Sequence, residues 1–351
     1  MEVKQDSSLL KRKFRPTEFI AEFFIKLISF FSFIVIILIF VFVFREASPI
    51  LTYTPTLQEI PEEELLQETY GEESLENLNI GPRKTLEEHQ VELESEPKSI
   101  WQNIFGLRWE PISAQPKYGV IPLILGSLKV TLIALLFATP IGILSALYTS
   151  QFAPKWLREI LKPSIEILAG FPSVVIGFFA LIVMASFFQE IFGYTYRLNA
   201  FVGGLAMSLA VIPIIYTVTE DSLAAIPKSY IEASLALGAE RWQTALFVVL
   251  PAATPGIFAA ILLGFGRAFG ETMIVLMATG NAALATLSIF DPVRTMAATI
   301  GAEMAEVVFG EFHYNILFFL GAILFIFTFA LNAIAEFVVR NKLMKRFSGG
   351  K

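Results

Sequence analysis

The sequence predicts an all-α integral membrane protein with six transmembrane helices and a large acidic loop after the first helix. Of its 351 residues 55% are hydrophobic and only 17% are charged, against about 25% charged residues in an ordinary soluble domain. Several uncharged stretches reach 18 residues or more, the length at which an α-helix crosses a hydrocarbon core of about 30 Å. A transmembrane β-barrel would instead alternate over strands of about 10 residues. These observations exclude a soluble enzyme and favour a helical bundle in the bilayer.

Six uncharged stretches are predicted to span the membrane, each bounded by charged residues or by a polar connection. They are residues 27–44, 130–153, 167–189, 198–219, 243–266 and 315–335. Because basic residues precede the first stretch, a signal peptide is the alternative interpretation there. The stretch is longer than a usual signal core and lacks a small-residue cleavage pattern, so we interpret it as an uncleaved anchor.

A seventh uncharged stretch, residues 272–290, is predicted not to span. Counting it would place the basic tail after residue 340 on the side opposite the basic N-terminus, against the positive-inside rule. The stretch contains Gly280 and Asn281, and we interpret it as the end of a long, bent fifth helix followed by a re-entrant or loop segment. Such a segment must be buried in protein or line a cavity. With six spans, both termini are cytoplasmic.

Charge divides the chain into five predicted regions. They are a basic cytoplasmic N-terminus (1–26), the first anchor (27–44), an acidic extracytoplasmic segment (45–118), a core of five spans with a cytoplasmic loop at 220–242 (119–340), and a basic cytoplasmic tail (341–351). The acidic segment holds 15 Glu against six Lys and Arg, which is typical of a solvated loop. A dedicated docking domain is the alternative for this segment.

The residue inventory argues against several kinds of site. The chain has no Cys and only two His, His89 and His313, which argues against a thiolate or histidine metal centre. No G-x-x-x-x-G-K-[ST] occurs, so ATP is not expected to bind through a Walker loop. We predict no metal, no cofactor, no catalytic residue and no nucleic-acid partner; any energy source must reside in another subunit.

The predicted link between the fourth and fifth spans, residues 220–242, combines charges with an apolar helical stripe that includes Ile231 and Leu235. Gly238 is placed to end a helix in a left-handed conformation, and the chain then re-enters the bilayer through Trp242. The pattern predicts a short helix parallel to the membrane that a cytoplasmic partner can reach. A plain connector is the commoner explanation for such a link.

Within this link, Glu232-Ala233-Ser234 is followed after three residues by Gly238, and after nine more by Val248-Val249-Leu250-Pro251. The pattern resembles the EAA loop of bacterial ABC-importer permeases, E-A-A-x3-G-x9-I-x-L-P, with Ser234 replacing the second Ala and Val248 replacing Ile. The resemblance implies a coupling helix docked in a groove of the ATP-hydrolysing subunit. Glu232 would stabilise the fold of the loop and Gly238 would permit its turn.

Three further stretches, residues 169–181, 264–277 and 291–298, resemble the permeases of the Pst phosphate importer. The continuation of the second into Gly280-Asn281 is more similar to the PstC type than to PstA. The resemblance covers roughly residues 119–340 and, by position, the first span. It implies a type I ABC-importer permease for inorganic phosphate in the cytoplasmic membrane of a prokaryote. Its implied partners are an ATP-binding subunit, a second, PstA-like permease and an extracytoplasmic phosphate-binding protein.

Arg267 and Glu271 are the predicted translocation residues. They are four residues apart, hence on one helix face, and an ionised pair at membrane depth is expensive unless it faces a partner or water. The donor fork of Arg matches a tetrahedral oxyanion. Glu could accept a hydrogen bond from a protonated phosphate and repel a fully deprotonated anion. A static ion pair that fixes the helix is the alternative. Nearby, the spacing of Gly266 and Gly270 predicts close helix packing.

Other functions stay open at this point. Within importers, the rival substrates are molybdate, sulfate and phosphonate, and a homodimer is the alternative to a heterodimer. A passive anion channel would also use Arg267 but would not need the coupling loop. A membrane-embedded hydrolase would use carboxylates and histidine such as Asp291, Glu303, Glu306 and His313, yet these have no recognisable nucleophile or metal spacing.

Overall fold

The computed structural model describes residues 16–52, 100–113 and 116–338, and almost all regular structure in these ranges is helical. The elements up to the third span are α1 (Pro16–Ala47), α2 (Pro49–Thr52), α3 (Ile100–Ile104), β1 (Trp109–Glu110), β2 (Lys117–Tyr118), α4 (Ile121–Gln151), α5 (Lys155–Ala169), α6 (Ser173–Phe179), a π-helical turn (Ala180–Met184) and α7 (Ala185–Phe192). The later elements are α8 (Ala200–Ala224), α9 (Lys228–Ala236), α10 (Arg241–Thr244), a second π-helical turn (Ala245–Val249), α11 (Leu250–Ala252), α12 (Thr254–Phe269), α13 (Met273–Ala278), α14 (Met296–Glu303) and α15 (Phe312–Val338).

The described helices confirm the predicted fold class. Five helical segments are long and apolar enough to cross a membrane, and a sixth span results if the pair Arg241–Ala252 and Thr254–Phe269, bent by 68°, is counted as one. The bend lies at Ala253, just after Pro251 and just before Pro255, and two prolines this close remove amide donors from the helical ladder.

The centre of the bundle is α8, whose small residues let neighbouring helices approach. An added Cβ at Gly204 would lie 2.5 Å from a methyl group of Ile133 on α4, and one at Gly264 on α12 would lie 2.9 Å from Ile215 on α8. Such contacts hold helices together in lipid, where lipid tails remove the hydrophobic drive for association. α1 is separate from this centre, and it packs on α15 through Phe40 against Phe325, with ring centroids 4.1 Å apart.

Two ends of the bundle can be distinguished. At one end, here called the cap side, α3 and the antiparallel pair β1–β2 cover the starts of α4 and α15, and Ile104, Trp109 and Tyr118 are buried in one cluster with Phe269 and Leu317. At the other end, here called the loop side, the chain connects α8 to α10 through α9. Arg267 and the α9 region therefore lie at opposite ends of the bent fifth span.

Three predicted boundaries were wrong, all because charged residues were taken to end spans. α4 begins at Ile121, so Lys129 lies inside the span, where its ammonium finds carbonyl acceptors. α8 continues to Ala224, so Glu220 is buried in a helix and pairs with Lys162 at 2.7 Å instead of opening the loop. The third span begins at Ser173, because residues 167–169 belong to the amphipathic helix α5.

The stretch 272–290 is a short helix followed by a loop. The fifth span ends at Phe269, and the stretch begins with a separate helix, α13. The prediction that the stretch starts as the end of the fifth helix was therefore wrong. The chain turns at Gly280 and Asn281, both at positive φ (78° and 49°), and Val293 N–H then donates to Thr279 O at 3.1 Å. The loop segment that the sequence predicted is thus present. Residues 1–15, 53–99, 114–115 and 339–351, which include both termini and most of the acidic segment, lie outside the described residues.

Candidate functional site

Arg267 and Glu271 lie where α12 ends on the cap side. The guanidinium Nη2 is 3.6 Å from the Glu271 carboxylate, an ion pair that is longer than a hydrogen bond. The Arg267 side chain is 49% exposed within this chain, whereas that of Glu271 is 7% exposed. No hydrogen bond from the Arg267 guanidinium is formed within the described ranges, so most of its donor fork is available to a ligand.

The face that carries Arg267 is open. A Cβ added at Gly266 would meet no atom within 4 Å, and one at Gly270 would meet only the carbonyl oxygen of Gly266, at 3.6 Å. Gly266 and Gly270 therefore pack closely on no other helix among the described residues of this chain, and the closely packed glycine of the segment is Gly264. An arginine beside such glycines on a helix end faces either a water-filled path or another subunit.

A second charged cluster, which the sequence did not predict as a site, lies nearby on the cap side. The buried carboxylate of Glu303 accepts hydrogen bonds from Arg294 Nη1 at 2.6 Å and from Trp109 Nε1 at 3.0 Å, and it lies 2.9 Å from His313 Nε2. Arg294 Nε also donates to Asn281 Oδ1 at 3.0 Å. We call these residues the Glu303 cluster.

The Glu303 cluster joins four parts of the chain. Trp109 comes from β1, Arg294 from the loop before α14, Glu303 from the end of α14, and His313 from the start of α15. A cavity of about 530 Å³ opens beside it, lined among others by Glu110, Arg294 and Glu306. The only signal in the sequence was a group of ionisable residues at 291–313, which we had considered for a hydrolase. The structure uses two of these residues, Glu303 and His313, as a tie between elements.

On the loop side, α9 (Lys228–Ala236) forms the middle of the predicted coupling segment, residues 220–242. Its C-terminal end is closed by two bonds, from Gly238 N–H to Leu235 O at 2.9 Å and from Ala239 N–H to Ser234 O at 3.2 Å. With Gly238 at φ +89°, this is the Schellman arrangement, in which a residue at positive φ ends the helix. The predicted left-handed turn at Gly238 is therefore present in the structure.

The side chains of the EAA-like motif differ in their contacts. Ser234 Oγ lies 2.9 Å from Thr244 Oγ1, which ties α9 to the start of the fifth span. Glu232 and Ala233 are exposed, and Glu232 forms no hydrogen bond or ion pair with another described residue. Around them, Tyr230, Leu235 and Leu237 present an exposed apolar surface, with Leu237 90% exposed. Such a patch, rimmed by polar residues, is typical of an interface with another protein.

The described residues contain no group of three or more His, Asp or Glu that could hold a metal ion. The candidate site residues are an arginine and a carboxylate on the cap side and an exposed helix on the loop side. The first arrangement can bind an oxyanion by charge-assisted hydrogen bonds. The second can transmit a movement from a partner to the fifth span.

Comparisons with known proteins agree with this geometry. Residues 138–343 match the family described as "binding-protein-dependent transport system inner membrane component". A probable ABC transporter permease protein of Bacillus subtilis, YqgH, is 39% identical over 223 residues, which cover 64% of this chain and 72% of that protein. The phosphate transport system permease protein PstC of Pasteurella multocida is 32% identical over 259 residues, covering 68% of this chain and 78% of its own length.

A solved structure shares the fold. In the crystal structure of a bacterial alginate ABC transporter in complex with an alginate-bound periplasmic protein, one chain superposes with a TM-score of 0.50 at 15% identity. The superposition covers 77% of this chain and 91% of that chain. At this level of identity the likeness concerns the arrangement of the helices alone.

Proposed function

Because this chain belongs to the family of binding-protein-dependent transport system inner membrane components, we propose that it is the permease subunit of an ATP-driven importer of inorganic phosphate. The observation that carries the proposal is a pair of charged residues at one end of the fifth span. Arg267 has guanidinium donors that form no hydrogen bond with the described residues, and Glu271 is a buried carboxylate beside it. The other end of the same span follows the exposed helix α9. The similarity to PstC phosphate permeases supports phosphate as the substrate.

The proposal assigns partners to the exposed surfaces. An ATP-binding subunit docks on α9, a second, PstA-like permease completes the path, and an extracytoplasmic phosphate-binding protein delivers the anion on the cap side. In this arrangement the protein is a multi-pass component of the cytoplasmic membrane, with both termini in the cytoplasm. The cap side is then extracytoplasmic and the loop side cytoplasmic.

At the site, we assign Arg267 to binding of the anion and Glu271 to discrimination between protonated and fully deprotonated anions. Phosphate at neutral pH carries between one and two negative charges, and a guanidinium donates two parallel hydrogen bonds to such an oxyanion. Glu271 accepts a hydrogen bond from a protonated phosphate oxygen, which a fully deprotonated anion cannot offer. At 3.6 Å the pair is an ion pair without a direct hydrogen bond, so the donors of Arg267 are available to the anion. The result is a transient site, suited to passage and not to storage.

The fifth span connects the coupling loop on the loop side to Arg267 on the cap side. Ser234 on α9 contacts Thr244, and the same chain continues through the bend to Arg267. A displacement of α9 by the ATPase therefore acts directly on the helix that holds the anion contact. A passive channel would use the arginine but would leave the exposed surface of Tyr230, Leu235 and Leu237 without a purpose, so the loop favours an importer.

The substrate proposal predicts that membrane vesicles containing the complete complex accumulate radiolabelled phosphate only when ATP is supplied. A tenfold excess of sulfate, on the order of magnitude at which a shared site would be saturated, should leave the uptake unchanged. ATP-dependent accumulation of sulfate, molybdate or a phosphonate in place of phosphate would keep the importer and overturn the substrate. Flux that is independent of ATP would instead identify a channel.

The coupling proposal predicts that Gly238→Val abolishes most ATP-dependent uptake while the chain still inserts in the membrane. A side chain at φ +89° costs about 1–2 kcal/mol, and a β-branched one more, so the Schellman end of α9 should unwind. The surroundings are open, with no atom within 4 Å of an added Cβ, so steric clash is not the cause. Uptake and co-purification of the ATPase are the measurements.

Gly193→Val is the matched control for this variant. Gly193 also ends a helix at positive φ (66°) with no atom within 4 Å of an added Cβ, but it lies away from α9, after α7. It should suffer the same local strain without loss of coupling. Equal loss of uptake in the two variants would show that the effect is general destabilisation, against the assignment of the loop.

A further inference from the structure

The loop between α13 and α14 is fixed at both ends by backbone contacts. At its base, Thr279 and Val293 are joined by a backbone hydrogen bond and by the Thr279 hydroxyl, which donates to Val293 O at 2.8 Å. On the returning side, the first amides of α8 donate to the loop, Ala200 N–H to Asp291 O at 3.1 Å and Phe201 N–H to Ile289 O at 2.9 Å. These bonds satisfy helix-end donors that would otherwise lack partners, so the ends of the loop are firmly held.

The middle of the loop, residues 284–288, is held differently. The ammonium of Lys129 on α4 donates to Thr286 O at 2.5 Å and to Ser288 O at 2.9 Å, with Thr286 Oγ1 at 3.4 Å. Within the part of the chain that the structure describes, no other hydrogen bond ties residues 284–288 to a helix. The side chains there are exposed except that of Thr286, which is half-buried, and Leu287 is 90% exposed. We call residues 284–288 the Lys129 segment.

Lys129 is unusual because it is a charged residue inside a span. It is the ninth residue of α4, about 12 Å along the helix at 1.5 Å per residue. A charge at such a position is costly and is kept when it has a function. No carboxylate lies within 4 Å of the ammonium among the described residues; Asp291 acts on it only at longer range. The acceptors of Lys129 are therefore mainly the carbonyls of the segment. The ammonium fixes the position of the segment by donating hydrogen bonds to them.

The Lys129 segment lies on the cap side, as the anion site does. α13 joins Glu271 to the start of the loop, and Ala283, the residue before the segment, packs against the buried cap-side cluster, which also contains Phe269 at the end of α12. α13 separates the segment from the helix end that bears Arg267, so the two features share one end of the bundle. Leu284 and Leu287 of the segment are exposed.

We propose that Lys129 is a positioning residue that holds residues 284–288 across the cap-side end of the translocation path. Release of this segment from the ammonium accompanies the opening of that end to the anion. Because the loop is anchored on both sides, the segment swings when two hydrogen bonds break, without unfolding of α8 or α13. The proposal rests on the proposed import function for its meaning, but the contact itself is testable without transport.

The test uses the absence of cysteine from this chain. Leu287→Cys provides a single attachment point for a nitroxide spin label, and the rotational correlation time of the label is measured by electron paramagnetic resonance on the assembled complex without ATP. Adding Lys129→Met should shorten that correlation time by about twofold, because the charge-assisted hydrogen bonds that hold the segment are lost. Lys129→Arg, which donates to several carbonyls, should restore the longer correlation time. Lys155→Met removes an exposed charge at the start of α5 and should change nothing.

Uptake gives a second readout. Lys129→Met should lower phosphate uptake per ATP hydrolysed, with Lys129→Arg close to wild type. If Lys129→Met fails to assemble, Lys129→Gln, whose donor is one atom shorter, carries the same expectation. Equal correlation times with Lys129 and with Met or Gln would overturn the proposal. So would a label that is immobile in all variants, since the segment would then be held by a partner. A complex that carries no phosphate would refute the proposed function, while the mobility of the label would still decide the role of Lys129.

Discussion

Replacing Arg267 by Gln should lower ATP-dependent phosphate uptake at least about 30-fold, the effect of losing about 2 kcal/mol of charge-assisted hydrogen bonding to the anion. The complex should still assemble, because the Arg267 side chain is half exposed and its contact with Glu271 is a loose one at 3.6 Å. Loss of transport with assembly intact separates a role at the anion from a role in folding. The measurement is initial uptake of radiolabelled phosphate into vesicles, normalised to the amount of complex.

Two further variants sharpen this prediction. Arg108→Gln is the matched control, since Arg108 is an exposed arginine on the same side of the bundle whose guanidinium has no side-chain partner in the described ranges; it should transport normally. Arg267→Lys keeps the charge but loses the planar donor fork, so it should be intermediate. Glu271→Gln should weaken discrimination against sulfate, because the amide no longer repels a fully deprotonated anion.

The static-pair interpretation makes the opposite forecast. If Arg267 and Glu271 served only each other, exchanging them in an Arg267→Glu, Glu271→Arg double variant would restore the pair and the transport. Recovery to near wild-type uptake in that variant would remove both residues from the anion path. An importer that uses the guanidinium as a ligand should remain inactive, since the exposed position 267 then carries a carboxylate, which repels the anion.

Replacing Glu303 by Gln should lower the free energy of unfolding by about 3–5 kcal/mol, the usual cost of breaking a buried ion pair from one side. Glu303 is the acceptor shared by Arg294, Trp109 and His313. A neutral amide leaves the Arg294 charge, only 17% exposed, without its carboxylate. The expected result is a lower midpoint of thermal unfolding in detergent and less folded protein in the membrane.

Glu306→Gln is the matched control for this stability prediction. Glu306 lines the same cavity but is exposed and forms no side-chain hydrogen bond or ion pair with the described residues, so its change should be nearly neutral. Adding Arg294→Met to Glu303→Gln should recover part of the lost stability, since the orphaned charge is removed. Equal stability of Glu303→Gln and wild type would show that the cluster is not a structural tie.

Local patterns in the sequence were sufficient for the spans and for the short helix between the fourth and fifth spans. The bilayer demands long apolar helices, so six stretches could be found by length and charge alone. Gly238 could be predicted to end a helix because a left-handed residue there depends only on its near neighbours. Arg267 and Glu271 could be predicted to share a face because they are one helical turn apart.

The predictions failed where a charge had a distant partner. Lys129 was taken to end a span, yet its acceptor Thr286 is 157 residues away, and the buried Glu220 meets Lys162 58 residues earlier. The Glu303 cluster joins Trp109 to Glu303 across 194 residues. No periodicity links such residues, so their burial could not be foreseen.

The sequence by itself determined the membrane fold, the apolar spans, the short helix between the fourth and fifth spans and the Arg267–Glu271 pair, because hydrophobic length and helical spacing are local properties. Only the tertiary structure decided which face of α12 is open, which charges are held inside the bundle, and how the loop after α13 is fastened. The physical reason is that a buried charge is stable only beside a specific acceptor, and folding alone brings such acceptors from distant parts of the chain.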